Sequence, residues 1–114
     1  MGKPDKDDWY HAVDGTLNIV SLQETLRLVK AEVRRSITLH GCPLWGRHEA
    51  FAIIKEELDE VWEEVKKDGD SADLAVELMQ TAAMCIRYLA TDKKMIDVVL
   101  SAGHEKLDRL EEFL

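Results

Sequence analysis

ADLAVELMQTAAMCIRYLA, residues Ala72–Ala90, decides the fold. On a helix, at about 100° per residue, Leu74, Val76, Leu78, Met79, Ile86 and Leu89 cover most of the circumference. A helix that is apolar nearly all round belongs inside a core. Asp73, Glu77, Gln80 and Arg87 interrupt the stretch, so it is not a membrane span. Together with Thr81 and Tyr88 they fall in one sector of roughly 120°. Glu77 and Gln80 therefore point the same way, one turn apart. An ionised carboxylate in such a setting costs several kcal/mol unless a cation or strong donors meet it. The fold has to supply something that meets Glu77.

Outward from that stretch, Lys66-Lys67-Asp68-Gly69-Asp70 ends a preceding helix, with cations in its last turn and a glycine behind. Ser71 is the expected cap of the central helix. The preceding helix is expected over Arg47–Asp68, with Phe51, Ile54, Leu58, Val61, Trp62 and Val65 as its core stripe. Beside the stripe runs a set of acids, Glu56, Glu57, Asp59, Glu60, Glu63 and Glu64. Like charges at three- and four-residue spacing mildly destabilise an isolated helix. A solvated acidic face is the plain reading, but Glu57 lies next to Ala50 and Ile53 at the edge of the core. The short connection makes the two helices antiparallel neighbours. That hairpin sets Glu57 and Glu60 opposite Glu77 and Gln80.

Two outer helices complete the pattern. The first is expected over Thr16–Leu39, with Ile19, Leu22, Leu26, Val29, Val33 and Ile37 on one stripe. Arg27, Lys30, Arg34 and Arg35 lie off it, either as a solvated face or within reach of an anionic ligand. Gly41 and Pro43 end this helix. In the loop that follows, Leu44 and Trp45 close one end of the core, unless Trp45 stacks on a base. The last helix is expected over Asp92–Phe113, capped by Asp92, with Gly103 marking close packing or a bend and His104 at the surface. Residues 1–15 read as an irregular N-terminal arm, with Trp9 and Tyr10 available to dock and His11 a bystander. Residues 16–114 form a single helical domain.

Composition limits the function. At 114 residues the chain holds one modest core. Its 46% hydrophobic and 33% charged residues describe a soluble helical protein rather than a disordered one. A formal charge of −8 argues against sequence-independent nucleic-acid binding, which needs a basic face. Cys42 and Cys85 have no metal-type spacing and are expected as reduced thiols. Met1–Asp8 is polar, so no secretory leader is expected and the cytoplasm is the expected compartment.

The hairpin thus presents Glu57-x-x-Glu60 to Glu77-x-x-Gln80. Oxygen donors of this kind suit a hard cation such as Mg²⁺, which keeps waters and bridges substrate phosphates. A ferritin-like di-iron bundle would need Glu-x-x-His pairs. None of His11, His40, His48 and His104 has Glu three residues before it.

EELDEVWEEVK (Glu56–Lys66) and ELMQTAAMCIRYL (Glu77–Leu89), with 16 residues separating Glu60 from Glu77, resemble the all-α, MazG-like nucleoside triphosphate pyrophosphohydrolases. Their motif is ExxE, a spacer, then ExxD. Glu57 and Glu60 match the first half and Glu77 opens the second. The likeness covers Arg47–Leu89 well, and the outer helices only in length and type. Gln80 stands where the motif has Asp, as in phage-type MazG-like sequences; its carbonyl oxygen can coordinate but brings no charge.

The resemblance implies an antiparallel bundle of about four helices, completed by assembly into a homodimer or homotetramer. It implies Mg²⁺-dependent hydrolysis of a nucleoside triphosphate, or a modified nucleotide, to monophosphate and pyrophosphate, with Mn²⁺ a possible substitute. Glu57, Glu60, Glu77 and Gln80 are then the expected metal ligands, and Glu56 the residue expected to orient or deprotonate the attacking water. The competing expectation is a catalytically silent MazG-like oligomer that binds nucleotide or a protein partner. A third is a plain helical interaction protein whose acidic face serves solubility.

Overall fold

The computed structural model describes residues 19–41, 46–91, 93–101, 109–110 and 112–113. The regular elements among them are α-helices: α1 (Ile19–His40), α2 (Arg47–Lys67), α3 (Ser71–Thr91) and α4 (Lys93–Ser101). None is long and apolar enough to cross a membrane. The arm of residues 1–15 with Trp9, Tyr10 and His11, the cap Thr16, the loop residues Cys42, Pro43, Leu44 and Trp45, and Asp92, Gly103 and His104 all lie outside the described residues. Cys85 is a free, half-buried thiol, as expected for one of the pair.

The helix ends follow local chemistry, with two shifts from expectation. After α1, Gly41 takes φ +70° and its N–H donates to the Ile37 carbonyl at 2.8 Å. After α2, Asp68 and not Gly69 occupies the left-handed position, at φ 49°. An acidic side chain tolerates that conformation, and the Asp68 N–H reaches the Val65 carbonyl at 3.1 Å. Asp70, rather than Ser71, caps α3: its carboxylate accepts the Ala72 N–H at 2.9 Å. Ser71 is already the first helical residue.

The central position of α3 is as expected: it packs against α1, α2 and α4. Among the described residues, the buried apolar ones are Val29 of α1, Ala50 and Val61 of α2, and Ala83 and Met84 of α3. Which faces turn inward differs from the sequence pattern. On α2, Ala50, Glu57, Val61 and Glu64 share one face, and each is buried or half-buried. Of the expected core stripe only Val61 is buried and Ile54 half-buried, while Phe51, Leu58 and Trp62 are 67%, 55% and 58% exposed. On α3, Arg87 and Ala83 are buried and Glu77, Gln80 and Thr81 half-buried, whereas Leu78, Ile86 and Leu89 are exposed.

The reason is geometric. Both helices carry an apolar arc too wide for one neighbour, and the hairpin contact takes the edge of each arc. That edge carries the carboxylates. The polar stripe of α3 accordingly faces the other helices, and much of its apolar back is left at the surface.

Candidate metal centre

Three carboxylates meet between α2 and α3. Glu57, Glu60 and Glu77 each offer an oxygen lying within 4.8 Å of the others. Glu57 and Glu60 are brought together by the three-residue helical step, and Glu77 by the antiparallel return of α3. Glu57 and Glu77 are half-buried, and Glu60 stands at the exposed edge. One oxygen of each inner residue, Glu57 Oε2 and Glu77 Oε2, is fully buried with no hydrogen-bond partner. Buried carboxylate oxygens without donors are costly, so the pair is set up for an oxygen-seeking cation or a proton.

The electrostatics agree. Burial pushes the Glu57 carboxyl above the ordinary carboxylate range, and the charges of Glu60, Glu56 and Glu32 add to it. Burial also raises Glu77, followed by the close approach of the Glu60 carboxyl and the charges of Glu57 and Glu64. Without a cation, these groups hold protons more tightly than free carboxylates do.

The lysines of α2 serve other acids. Lys55 pairs with Asp59 at 3.1 Å, Lys66 with Glu63 at 2.8 Å and Lys67 with Glu64 at 3.2 Å. Lys66 also lies over the Trp62 ring, 5.9 Å from its centroid. The acidic run of α2 is therefore divided. Asp59, Glu63 and Glu64 pair with lysines of the helix itself, and Glu57 and Glu60 turn to α3.

Gln80 is half-buried one turn beyond Glu77, on the same side of α3. Thr81 donates its hydroxyl to the Glu77 main-chain carbonyl at 2.8 Å, which leaves the Glu77 carboxylate uncommitted. Glu56 is exposed and outside the group of three, though its charge is felt at Glu57. Three carboxylates with converging oxygens match the preference of Mg²⁺ or Mn²⁺ for hard donors in a partly open site.

Two contacts beside the site go beyond the sequence, in which Arg35 reads only as part of a solvated face or a cation within reach of an anionic ligand, and Arg87 only as a polar interruption of the central helix. Glu32 and Arg35 of α1 form a bidentate pair at 2.8 and 2.7 Å, and the charge of Glu32 reaches Glu57. Their three-residue spacing was the available signal, but it marks any helix-surface pair. Arg87 of α3 is buried, and its guanidinium donates to the Gly41 carbonyl at 2.6 Å and lies 3.8 Å from Met84 Sδ. It ties the end of α1 to α3; a lone Arg in an apolar helix carries no sequence mark of such a contact. No family model, curated protein or solved structure matches the chain.

Proposed function

We propose that this protein is a Mg²⁺-dependent, MazG-like nucleoside triphosphate pyrophosphohydrolase. It converts a (d)NTP or modified nucleotide to the monophosphate and pyrophosphate. The observation that carries the reading is the pair of partnerless buried oxygens, Glu57 Oε2 and Glu77 Oε2, in a group whose three carboxylates lie within 4.8 Å. The ExxE and Exx(Q) spacing of the two helices supports it.

In this reading Glu57, Glu60 and Glu77 hold the metal, and Gln80 adds a neutral oxygen or supports from behind. A bound Mg²⁺ would supply charge neutralisation for a triphosphate and a more acidic water. Glu57 and Glu77, buried on one side, fix the inner wall of the site. Glu60 faces the open side, where a phosphate chain has room. Glu56, exposed and next to Glu57, orients or deprotonates the water that cleaves between the α and β phosphates. The acidic walls repel a bare polyanion, so binding and metal loading are coupled.

The exposed apolar surfaces support assembly. Leu78, Ile86 and Leu89 on the back of α3, with Phe51, Leu58 and Trp62 on α2, are what a second copy would cover in a homodimer or homotetramer. The compartment that fits a charged nucleotide substrate is the cytoplasm, and neither nucleic acid nor membrane is a partner.

The test is a panel of standard and damaged (d)NTPs with Mg²⁺, scored for pyrophosphate and monophosphate. Release from at least one nucleotide, lost with EDTA, is expected. No release from any of them favours the second reading, a catalytically silent MazG-like oligomer that binds nucleotide or a protein partner. Gln80 in place of the motif's Asp is the observation on that side, because it removes a charge a metal would use.

A further inference from the structure

Beside the carboxylate group lies a cavity of about 370 Å³ between α1 and α3, lined by Leu28, Ala31, Glu32, Arg35, Val76 and Met79. On α1, Leu28, Glu32 and Arg35 recur at four and three residues and share the face toward α3. On α3, Val76 and Met79 are the residues directly before Glu77 and Gln80. Glu32 links the cavity wall to the candidate metal centre, because its charge reaches Glu57.

The ion pair on its wall is asymmetric. The Glu32 side chain is 16% exposed, whereas Arg35 is 51% exposed. Glu32 is the buried partner, with its charge felt at Glu57, and Arg35 is the solvent-exposed one. The hydrogen bond and charge of Glu32 hold the proton on Arg35, and the charge of Glu57 adds to them. The nearby lysines of α2 are each engaged with an acid of their own helix. A planar guanidinium with five donors suits phosphate oxygens as well as it suits a carboxylate.

We infer that Arg35 is the anion-binding residue of this site, held ready by Glu32 and transferred from that carboxylate to a phosphate group when a metal-loaded polyphosphate arrives. The inference rests on the metal-centre reading above and adds to it the cation that meets the ligand's charge. Glu32 competes with the ligand for Arg35, so the two residues act on anion binding with opposite signs. A merely structural pair would not behave in this way, because losing either partner would then have the same effect.

Calorimetric titration of the full chain tests this, with Mn²⁺ alone and with inorganic tripolyphosphate in excess Mg²⁺. Arg35→Gln should weaken tripolyphosphate binding about tenfold, the loss of one charge-assisted contact, and tighten Mn²⁺ binding by removing a nearby cation. Arg35→Lys should recover part of the anion affinity. Glu32→Gln should tighten tripolyphosphate binding and weaken Mn²⁺ binding. Glu32 is largely buried on the cavity wall, so circular dichroism checks that each variant keeps its helix content. If the wild type binds Mn²⁺ and Mg²⁺-tripolyphosphate but the two Gln variants fail to move anion affinity in opposite directions, the role of Arg35 is overturned and the metal centre stands. If the wild type binds no Mn²⁺, the metal centre falls and Arg35's role falls with it.

Discussion

Glu77→Gln should stabilise the metal-free protein and destroy its response to Mg²⁺. Two unit charges 4.8 Å apart repel by about 3.5 kcal/mol at an effective dielectric of about 20, and by about 0.9 kcal/mol in water. Glu77 faces two such charges, Glu57 and Glu60, from a half-buried position between those limits. Burial first, then the approach and charge of Glu60 and the charge of Glu57, disfavour the ionised Glu77 carboxyl, in line with that repulsion. The substituted amide can donate to the carboxylates it formerly repelled, against a cost of about 1 kcal/mol or more if one N–H stays unmet. The net expectation is a gain of about 1–2 kcal/mol at neutral pH. For a chain of this size that is a rise in Tm of about 4 °C per kcal/mol. The assay is scanning calorimetry at one protein concentration, in EDTA and in excess Mg²⁺. The wild type should gain with Mg²⁺ according to RT ln(1 + [L]/Kd), about 2.7 kcal/mol at a hundredfold excess over Kd. The variant should gain little. Glu63→Gln is the control, because Glu63 is exposed and paired with Lys66. If Glu77→Gln is no more stable than the wild type in EDTA, and Mg²⁺ raises both and the control equally, the carboxylates do not form a cation site.

Four further outcomes are expected. Burial, with the neighbouring carboxylates adding to it, holds the folded-state pKa values of Glu57 and Glu77 above those of the unfolded chain. Their stabilisation is thus full below the unfolded pKa and lost as pH rises through the folded values; the urea midpoint in EDTA should fall over that window, and Mg²⁺ should suppress the fall. A midpoint that rises there, equally in wild type and in the Glu57→Gln/Glu77→Gln double variant, would count against the shared burial of these groups. In the hydrolysis assay, Gln80→Ala should lower turnover without unfolding the protein, and Glu57→Gln or Glu77→Gln should lower it far more; if the unmodified protein is silent, Gln80→Asp should restore some metal binding and hydrolysis. Arg87→Ala removes a buried side chain and its 2.6 Å bond to Gly41, and should cost about 2–4 kcal/mol in urea unfolding; a loss under 1 kcal/mol would show that α1 is held elsewhere. Sedimentation at micromolar concentration should find a dimer or larger, and Leu78→Glu with Trp62→Glu should shift it toward monomer; a wild-type monomer of 13.0 kDa would defeat the assembly.

The helices and their order were legible because periodicity and caps are local. Arg47, where α2 begins, Lys66 and Lys67 in its last turn, and Gly41 after α1 could each be placed from neighbours in the chain. The meeting of Glu57, Glu60 and Glu77 was legible for a related reason. A short hairpin leaves few registers, and the carboxylates of both helices lie at comparable distances from the turn. What was not legible was rotation. Phe51, Leu58 and Trp62 form the stronger apolar stripe of α2, yet α3 packs on the face of Ala50, Glu57 and Val61. A stripe says that some surface must be covered, not by which partner. The same limit hid Arg87 and the Glu32–Arg35 pair, whose surroundings are set by how α1 lies on α3.

That rotation bears on the choice between a metal centre and a solvated acidic face. If the acids of α2 served solubility alone, the helix would gain by turning Phe51, Leu58 and Trp62 inward and Glu57 outward. Burying large apolar side chains is worth about 1.5–3 kcal/mol each, and exposing a carboxylate removes its desolvation cost. The observed arrangement does the reverse on both helices of the hairpin: Glu57 on α2 and Glu77 on α3 turn in, while Trp62 on α2 and Leu78 on α3 stay out. Two conditions reverse the balance together. A cation between the carboxylates would repay their desolvation, and a second copy over the outer stripes would recover the apolar burial. Each condition alone leaves one face unsatisfied. Metal binding and assembly should therefore be thermodynamically linked, with Mg²⁺ tightening subunit association wherever α2 and α3 contribute to both.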